Sequence, residues 1–156
     1  MNPRYQDVSS DKIPTVEENG VKVKIIAGKS MGKQAEIDTR TPIIYLHYII
    51  QQGAQTIQKV PENYNVFVYV INGKGLFGKE EKLASKEQSV FFERNGNEVI
   101  IKTSEDADSP LEVLLIAGVP LEEPVARYGP FVMNTEDELR QAVADYNSGK
   151  MGKIDF

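Results

Sequence analysis

At 156 residues the chain is about one domain long, enough to bury roughly two-thirds of its unfolded surface around one core. Its 18 basic and 23 acidic residues leave a formal charge of -5 with no basic stripe, which argues against direct nucleic-acid binding. Cysteine is absent and His47 is the one histidine, so disulfides, thiolate sites and histidine-rich metal sites are excluded. No stretch approaches the ~18 apolar residues that span a bilayer, and Met1-Asn-Pro-Arg lacks the hydrophobic core of a signal peptide, which predicts an intracellular protein.

Taken in order, the chain offers short runs rich in β-branched and aromatic residues, separated by turn signals. The runs are Val21 to Ala27, Ile43 to Ile50, Ala54 to Val60, Asn65 to Ile71, Ser89 to Glu93, Glu98 to Thr103 and Leu111 to Ala117. This is the rhythm of an all-β sandwich or barrel. Asn19-Gly20, Asn72-Gly73 and Asn95-Gly96 tolerate the positive φ of tight hairpins. Lys22 and Lys24 alternate with Val21, Val23 and Ile25, giving that strand one wet face, and Ser104 to Pro110 reads as a solvated loop. Near the C-terminus Thr135-Glu-Asp-Glu138 matches a capping box, and Leu139, Ala142, Val143 and Tyr146 follow at helical spacing. A helix is predicted over about 136–148, with Gly149 as its stop.

The stretch from Gly53 to Gly73 keeps the spacing G-x5-H-x-H-x4-E-x6-G with Lys59, Pro61 and Val66 at the two His and the Glu positions. That frame resembles the first motif of the cupin barrels, a metal-binding β-hairpin in which two His and one Glu join a further His around a divalent metal. An ammonium, a pyrrolidine ring and an isopropyl group supply no donor to such a metal, so the resemblance implies a barrel without metal chemistry. Ligand positions point inward in the cupin pattern, which places Ile57, Lys59, Val66, Val68 and Val70 inside. Phe67, Tyr69 and Ile71 then lie on the opposite face as an apolar patch that needs a cover, from the helix, the N-terminal arm or another domain.

The end of the chain narrows the resemblance. Gly118-Val-Pro120-Leu-Glu-Glu-Pro124-Val, Tyr128-Gly129-Pro130-Phe131-Val132-Met133-Asn134-Thr135 and Asp145-Tyr-Asn-Ser-Gly149-Lys-Met-Gly152 resemble the C-terminal half of the two-barrel pirins. Pro3-Arg-Tyr5-Gln and Thr39-Arg40-Thr41-Pro42 are similar to the linker and first strands of that half. The resemblance implies an N-terminal arm over 1–15, a cupin-type jelly-roll β-barrel over 16–130 and a helix-bearing segment over 131–156. It implies iron only in an N-terminal barrel, held by three His and one Glu, with no counterpart in this chain. The family is associated with quercetin-type dioxygenase activity in some members and with nuclear co-regulation of transcription in others. Two functions follow as expectations. The first is a non-catalytic module in the cytoplasm or nucleus that binds a protein partner or a second copy through Phe67, Tyr69 and Ile71. The second is the C-terminal half of an iron-dependent oxygenase whose catalytic barrel lies elsewhere.

Other signals point to weaker sites. Gly73-Lys-Gly75-Leu-Phe-Gly78 matches a dinucleotide fingerprint but is followed by charged Lys79-Glu-Glu-Lys82 in place of a helix pattern. Ala27-Gly28-Lys29-Ser30 resembles the end of a phosphate loop without its first Gly or its helix. His47, among large apolar residues, reads as packed and hydrogen-bonded, and it remains a pocket candidate with Lys59. Lys59 is expected to extend its stem to solvent, and Tyr45, Tyr48, Tyr64 and Tyr69 to serve mainly as packing.

Overall fold

The computed structural model describes residues 5–152, so Pro3, Arg4 and the first part of the expected N-terminal arm lie outside the described residues. The chain divides after Pro120 into two compact units.

The first unit is all β. Its strands are β1 (Thr15–Glu18), β2 (Val21–Ala27), β3 (Lys29–Ser30), β4 (Lys33–Gln34), β5 (Ile43–Ile50), β6 (Gln55–Lys59), β7 (Asn65–Asn72), β8 (Lys74–Phe77), β9 (Lys82–Ser85), β10 (Ser89–Phe92), β11 (Glu98–Lys102) and β12 (Leu111–Gly118). Six of them form a sheet in the order β1-β2-β5-β12-β7-β10, and four form a second sheet in the order β6-β11-β8-β9. The sheets do not close on each other, yet their inner faces share one core. Val23, Leu46, Ile50, Val68, Leu111 and Leu115 enter from the larger sheet, and Phe77, Val99 and Ile101 from the smaller. This is the jelly-roll arrangement that the cupin resemblance implies, reached because period-2 alternation lets each strand bury one side.

The turns explain the connectivity. Asn19 and Gly20 both take positive φ and close the β1–β2 hairpin as expected. The other two Asn-Gly pairs do not make hairpins. After Asn72-Gly73 the chain leaves the larger sheet for the smaller, and Asn95-Gly96 lies on the path from β10 in the larger sheet to β11 in the smaller. Gly73 turns at φ 79 where a Cβ would lie 2.7 Å from the Pro110 carbonyl, and a Cβ on Gly75 would meet Leu111 at 2.4 Å. These glycines therefore answer to close packing at a sheet corner. Since β9 follows β8, no helix is placed to receive a dinucleotide. Lys29-Ser30 likewise opens a small hairpin with β4, not a phosphate-binding helix.

The stretch from β6 to β7 is not a hairpin either. β6 pairs with β11, whereas β7 pairs with β12 and β10, so the two face each other from opposite sheets.

The second unit begins at Leu121. It pairs β13 (Ala126–Tyr128) with β14 (Phe131–Met133) and adds α1 (Glu136–Asn147). Thr135 and Glu138 cap α1 reciprocally, as their spacing predicts. At the other end Gly149, at φ 76, and Lys150 return their amides to the Tyr146 and Asp145 carbonyls, a Schellman closure. Leu139 and Ala142 are buried, and Tyr146 meets Phe131 edge-on at 5.9 Å.

Candidate functional site

The interior of the first unit is mostly hydrocarbon; Thr56 and Thr103 are buried with it, and Ser30, Tyr48 and Gln58 meet in a hydrogen-bonded cluster. β6 places Thr56, Gln58 and Val60 inward and leaves Gln55, Ile57 and Lys59 exposed. The expectation that Ile57 and Lys59 point inward is thereby corrected, while Val66, Val68 and Val70 are buried as expected. The inward set slips by one residue against the motif count because Gln58 has partners inside. Ile57 instead lies opposite Ile100 on the outside of the smaller sheet.

Gln58 is tied on every side. Its Nε2 donates to the Lys29 carbonyl at 3.2 Å and to the Lys59 carbonyl at 2.7 Å. Its Oε1 lies 2.8 Å from both Ser30 Oγ and Tyr48 Oη, and these hydroxyls are 2.9 Å from each other. Two hydroxyl protons serve three oxygen contacts, so either both go to Gln58 or one hydroxyl relays through the other. Burial pushes the Tyr48 hydroxyl up from 10.0 to about 12, against the opposing effect of the Ser30 and Thr56 side chains. Tyr48 is thus a neutral donor at physiological pH, and the triad contains no base and no activated nucleophile. Every buried side-chain polar atom among the described residues has a partner.

The cupin frame would hold a metal with Lys59, Pro61 and Val66, and these residues do not fit one, since Lys59 and Pro61 are exposed and Val66 is a buried hydrocarbon. Gln58, Val60 and Val66 occupy the inward positions on β6, just beyond it and on β7. Among the described residues no three His, Cys, Asp or Glu side chains converge. A single amide oxygen already accepting two hydroxyl contacts leaves no ligand set for a first-row metal.

His47 and Lys59, the two pocket candidates, are far apart in role. His47 is half-buried on the outer face of the larger sheet, with Nε2 2.7 Å from Glu112 Oε1. Lys59 is exposed and lines an open cleft above the triad, whose wall includes Lys29, Met31, Lys33 and Ile57. Of the four tyrosines, Tyr48 is wholly buried while Tyr45, Tyr64 and Tyr69 are half-buried, and none lines that cleft. Gln58, the residue that organises the triad, carries no sequence signal beyond its alternation with Thr56.

The outer face of the larger sheet is the second feature. Phe67, Tyr69 and Ile71 lie on it, half-buried. Strand register lines up Tyr45, Ile116, Phe67 and Phe91 from four neighbouring strands in one row. Phe67 and Phe91 stack at 5.7 Å, yet Phe91 remains 77% exposed. Phe91 was reachable from the sequence only through the β7–β10 register, which no local pattern supplies.

Comparison with known proteins places this architecture. The family model for the pirin C-terminal cupin domain matches residues 45–152. The chain belongs to the pirin family. Pirin-like protein 2 of Arabidopsis thaliana is 42% identical over 97% of this chain and 48% of its own length. Human pirin is 36% identical over 97% of this chain and 52% of its own length. Among solved structures, a quercetin 2,3-dioxygenase from Acinetobacter baumannii superposes with a TM-score of 0.83 at 28% identity, covering 97% of this chain and 52% of that one. The chain therefore spans about half the length of the curated pirins it matches.

Proposed function

We propose that this pirin-type domain is a metal-free, non-catalytic module that works by docking the outer face of its larger sheet onto a second cupin-type barrel. The observation that carries the reading is the cross-strand row of Tyr45, Ile116, Phe67 and Phe91, with Phe91 77% exposed. An apolar row of this kind on a sheet face favours a partner surface. The occupant is suggested by length, since the pirins it matches are about twice as long as the aligned region. In such a pair the chain's own interior has no chemistry to perform, because its inward positions are mostly hydrocarbon and its buried polar side chains all have partners among the described residues. Action through protein contacts in the cytoplasm or nucleus, without direct contact to nucleic acid or membrane, is part of the same proposal. No helix among the described residues is long and apolar enough to cross a membrane.

The alternative reading is that the chain serves as the C-terminal half of an iron-dependent quercetin 2,3-dioxygenase-like protein, with the iron held by another barrel. The likeness to the Acinetobacter baumannii enzyme favours it. Flavonol turnover by the 156-residue chain combined with the iron-bearing N-terminal half of a full-length pirin separates the two: turnover that requires this chain favours the alternative, and association that leaves turnover unchanged favours docking alone. A metal-free species that self-associates, or that binds the iron-bearing N-terminal half of a full-length pirin, supports docking, and Phe91→Glu should abolish that association. Stoichiometric iron in the isolated chain, or turnover of a flavonol by it, overturns the non-catalytic reading.

A further inference from the structure

The cleft above the triad is open to solvent and has a volume of about 520 Å³, inside the range of small-molecule sites at roughly 300–1,000 Å³. Its lining has a consistent chemistry. Lys29, Lys33 and Lys59 contribute ammonium groups, and no Asp or Glu is among its lining residues, in a protein whose formal charge is -5. Neither Lys29 nor Lys59 makes an ion pair among the described residues, although Glu98 lies opposite Lys59 in the β6–β11 register. Lys33 Nζ donates to the Thr15 carbonyl at 3.2 Å and keeps its remaining protons available. The apolar part of the wall is Ile57, 53% exposed, together with Met31.

These groups are held in place by the fold. Gln58 Nε2 bonds the carbonyls of both Lys29 and Lys59, so one buried amide ties β3 to β6 and fixes the roots of the two lysines. The β3–β4 hairpin turns through Met31 at φ 44 and Gly32 at φ 76. The left-handed region disfavours an L side chain. Met31 nevertheless occupies it while its side chain packs on the core, which anchors the hairpin that carries Lys29 and Lys33. Because the floor beneath is a closed hydrogen-bond network, a ligand rests in the cleft and does not enter the core.

We propose that this cleft binds a small organic carboxylate with an apolar body, the carboxylate between Lys29 and Lys59 with Lys33 at the rim, and the body against Ile57 and Met31. Three ammonium groups around one cleft favour the anion even with Glu98 opposite Lys59, and the exposed hydrocarbon beside them selects an organic acid over a bare ion. The site is separate from the docking face and stands whether or not that face is occupied.

Amide chemical shifts of the ¹⁵N-labelled 156-residue protein, titrated in turn with benzoate, benzamide and inorganic phosphate, test the proposal. Benzoate should saturably shift the amides of residues 29–34 and 57–59, with benzamide and phosphate at least about fivefold weaker. Lys29→Gln and Lys59→Gln should each weaken benzoate roughly two- to fivefold, while the remote Lys86→Gln leaves it unchanged. Raising the salt concentration should weaken it further. Benzamide binding as well as benzoate removes the role of the lysines, and phosphate binding as well as benzoate removes that of the apolar wall. Shifts located elsewhere, or affinity unaffected by both lysine substitutions, overturn the site altogether.

Discussion

The two faces of the six-stranded sheet are built from the same strands and alternate residues, yet they carry different tasks. On the inner face Leu46, Ile50, Val68, Val70, Val113 and Leu115 are wholly buried, a continuous aliphatic layer. On the outer face Tyr45, Phe67, Tyr69, Leu114 and Ile116 are only half-buried, and Phe91 is mostly exposed. Composition separates them in part, since the outer face mixes Lys22, Lys24, His47 and Glu112 with its apolar row, whereas the inner face is apolar apart from the Tyr48 hydroxyl. Shape separates their apolar parts further: branched aliphatics interdigitate around Tyr48 inside, whereas outside the rings of Tyr45, Phe67, Tyr69 and Phe91 join Leu114 and Ile116 on a surface still open to solvent. The inner face stabilises the fold, and the outer face is available for recognition.

Adjacent residues of β12 should break or sharpen this contrast most strongly. Leu115→Ala removes a wholly buried side chain and should cost about 2–5 kcal/mol by the transfer and cavity terms together. Leu114→Ala, one residue along and on the half-buried outer face, should cost clearly less. Denaturant midpoints of the two variants measure the difference directly. Equal losses would mean that the outer face is packed as tightly as the core and has no free area to offer.

The one polar interruption of the inner layer is next in size. Burial pushes the folded Tyr48 hydroxyl up to about 12 from its ordinary 10.0. Between those values the unfolded chain binds fewer protons than the folded one, so stability falls as pH rises through that window and is intact below it. The expected loss is up to about 3 kcal/mol. Tyr48→Phe should lower stability at neutral pH by roughly 1 kcal/mol, since Ser30 and Gln58 still satisfy each other, and should remove most of the alkaline dependence. Urea titrations of both proteins at pH 8 and pH 11 read this out. An unchanged alkaline slope in the variant would assign the dependence to other groups.

How far these faces were legible in the sequence depends on what each residue answers to. β2, β5, β7 and β12 were readable because long β-branched runs bounded by turn signals leave few alternatives. The helix was readable because its capping chemistry is local, Thr135 to Glu138. β6 was readable as a strand but not in its facing. There a polar Gln58 turns inward and an apolar Ile57 outward, against the usual preference, because the partners that satisfy Gln58 come from β3 and β5, far away in the chain. The short strands β1, β3, β4, β8 and β9 are not legible in the sequence for a related reason. Their glycines, lysines and glutamates carry little strand propensity, and they exist by pairing with other strands. The docking row depended on register between strands, which hydrophobic pattern alone does not fix when both faces carry apolar residues.

The smallest effect on stability belongs to the residue with the largest expected effect on binding. On β10, Val90 lies opposite Val68 and packs against the core, while Phe91 lies opposite Phe67 and points outward. Val90→Ser should therefore lower the thermal midpoint measurably, because it exchanges a methyl pair at the core for a hydroxyl without a partner. Phe91→Ser gives up one stacking contact at an exposed site and should change monomer stability by less than about 1 kcal/mol. Sedimentation of the two variants, alone and with an iron-bearing N-terminal pirin half, then inverts the ranking. Loss of association should follow Phe91→Ser and spare Val90→Ser so long as the latter is folded. If both variants associate like the parent chain, the row of rings is surface packing only, and a docking face must be sought on another part of the molecule.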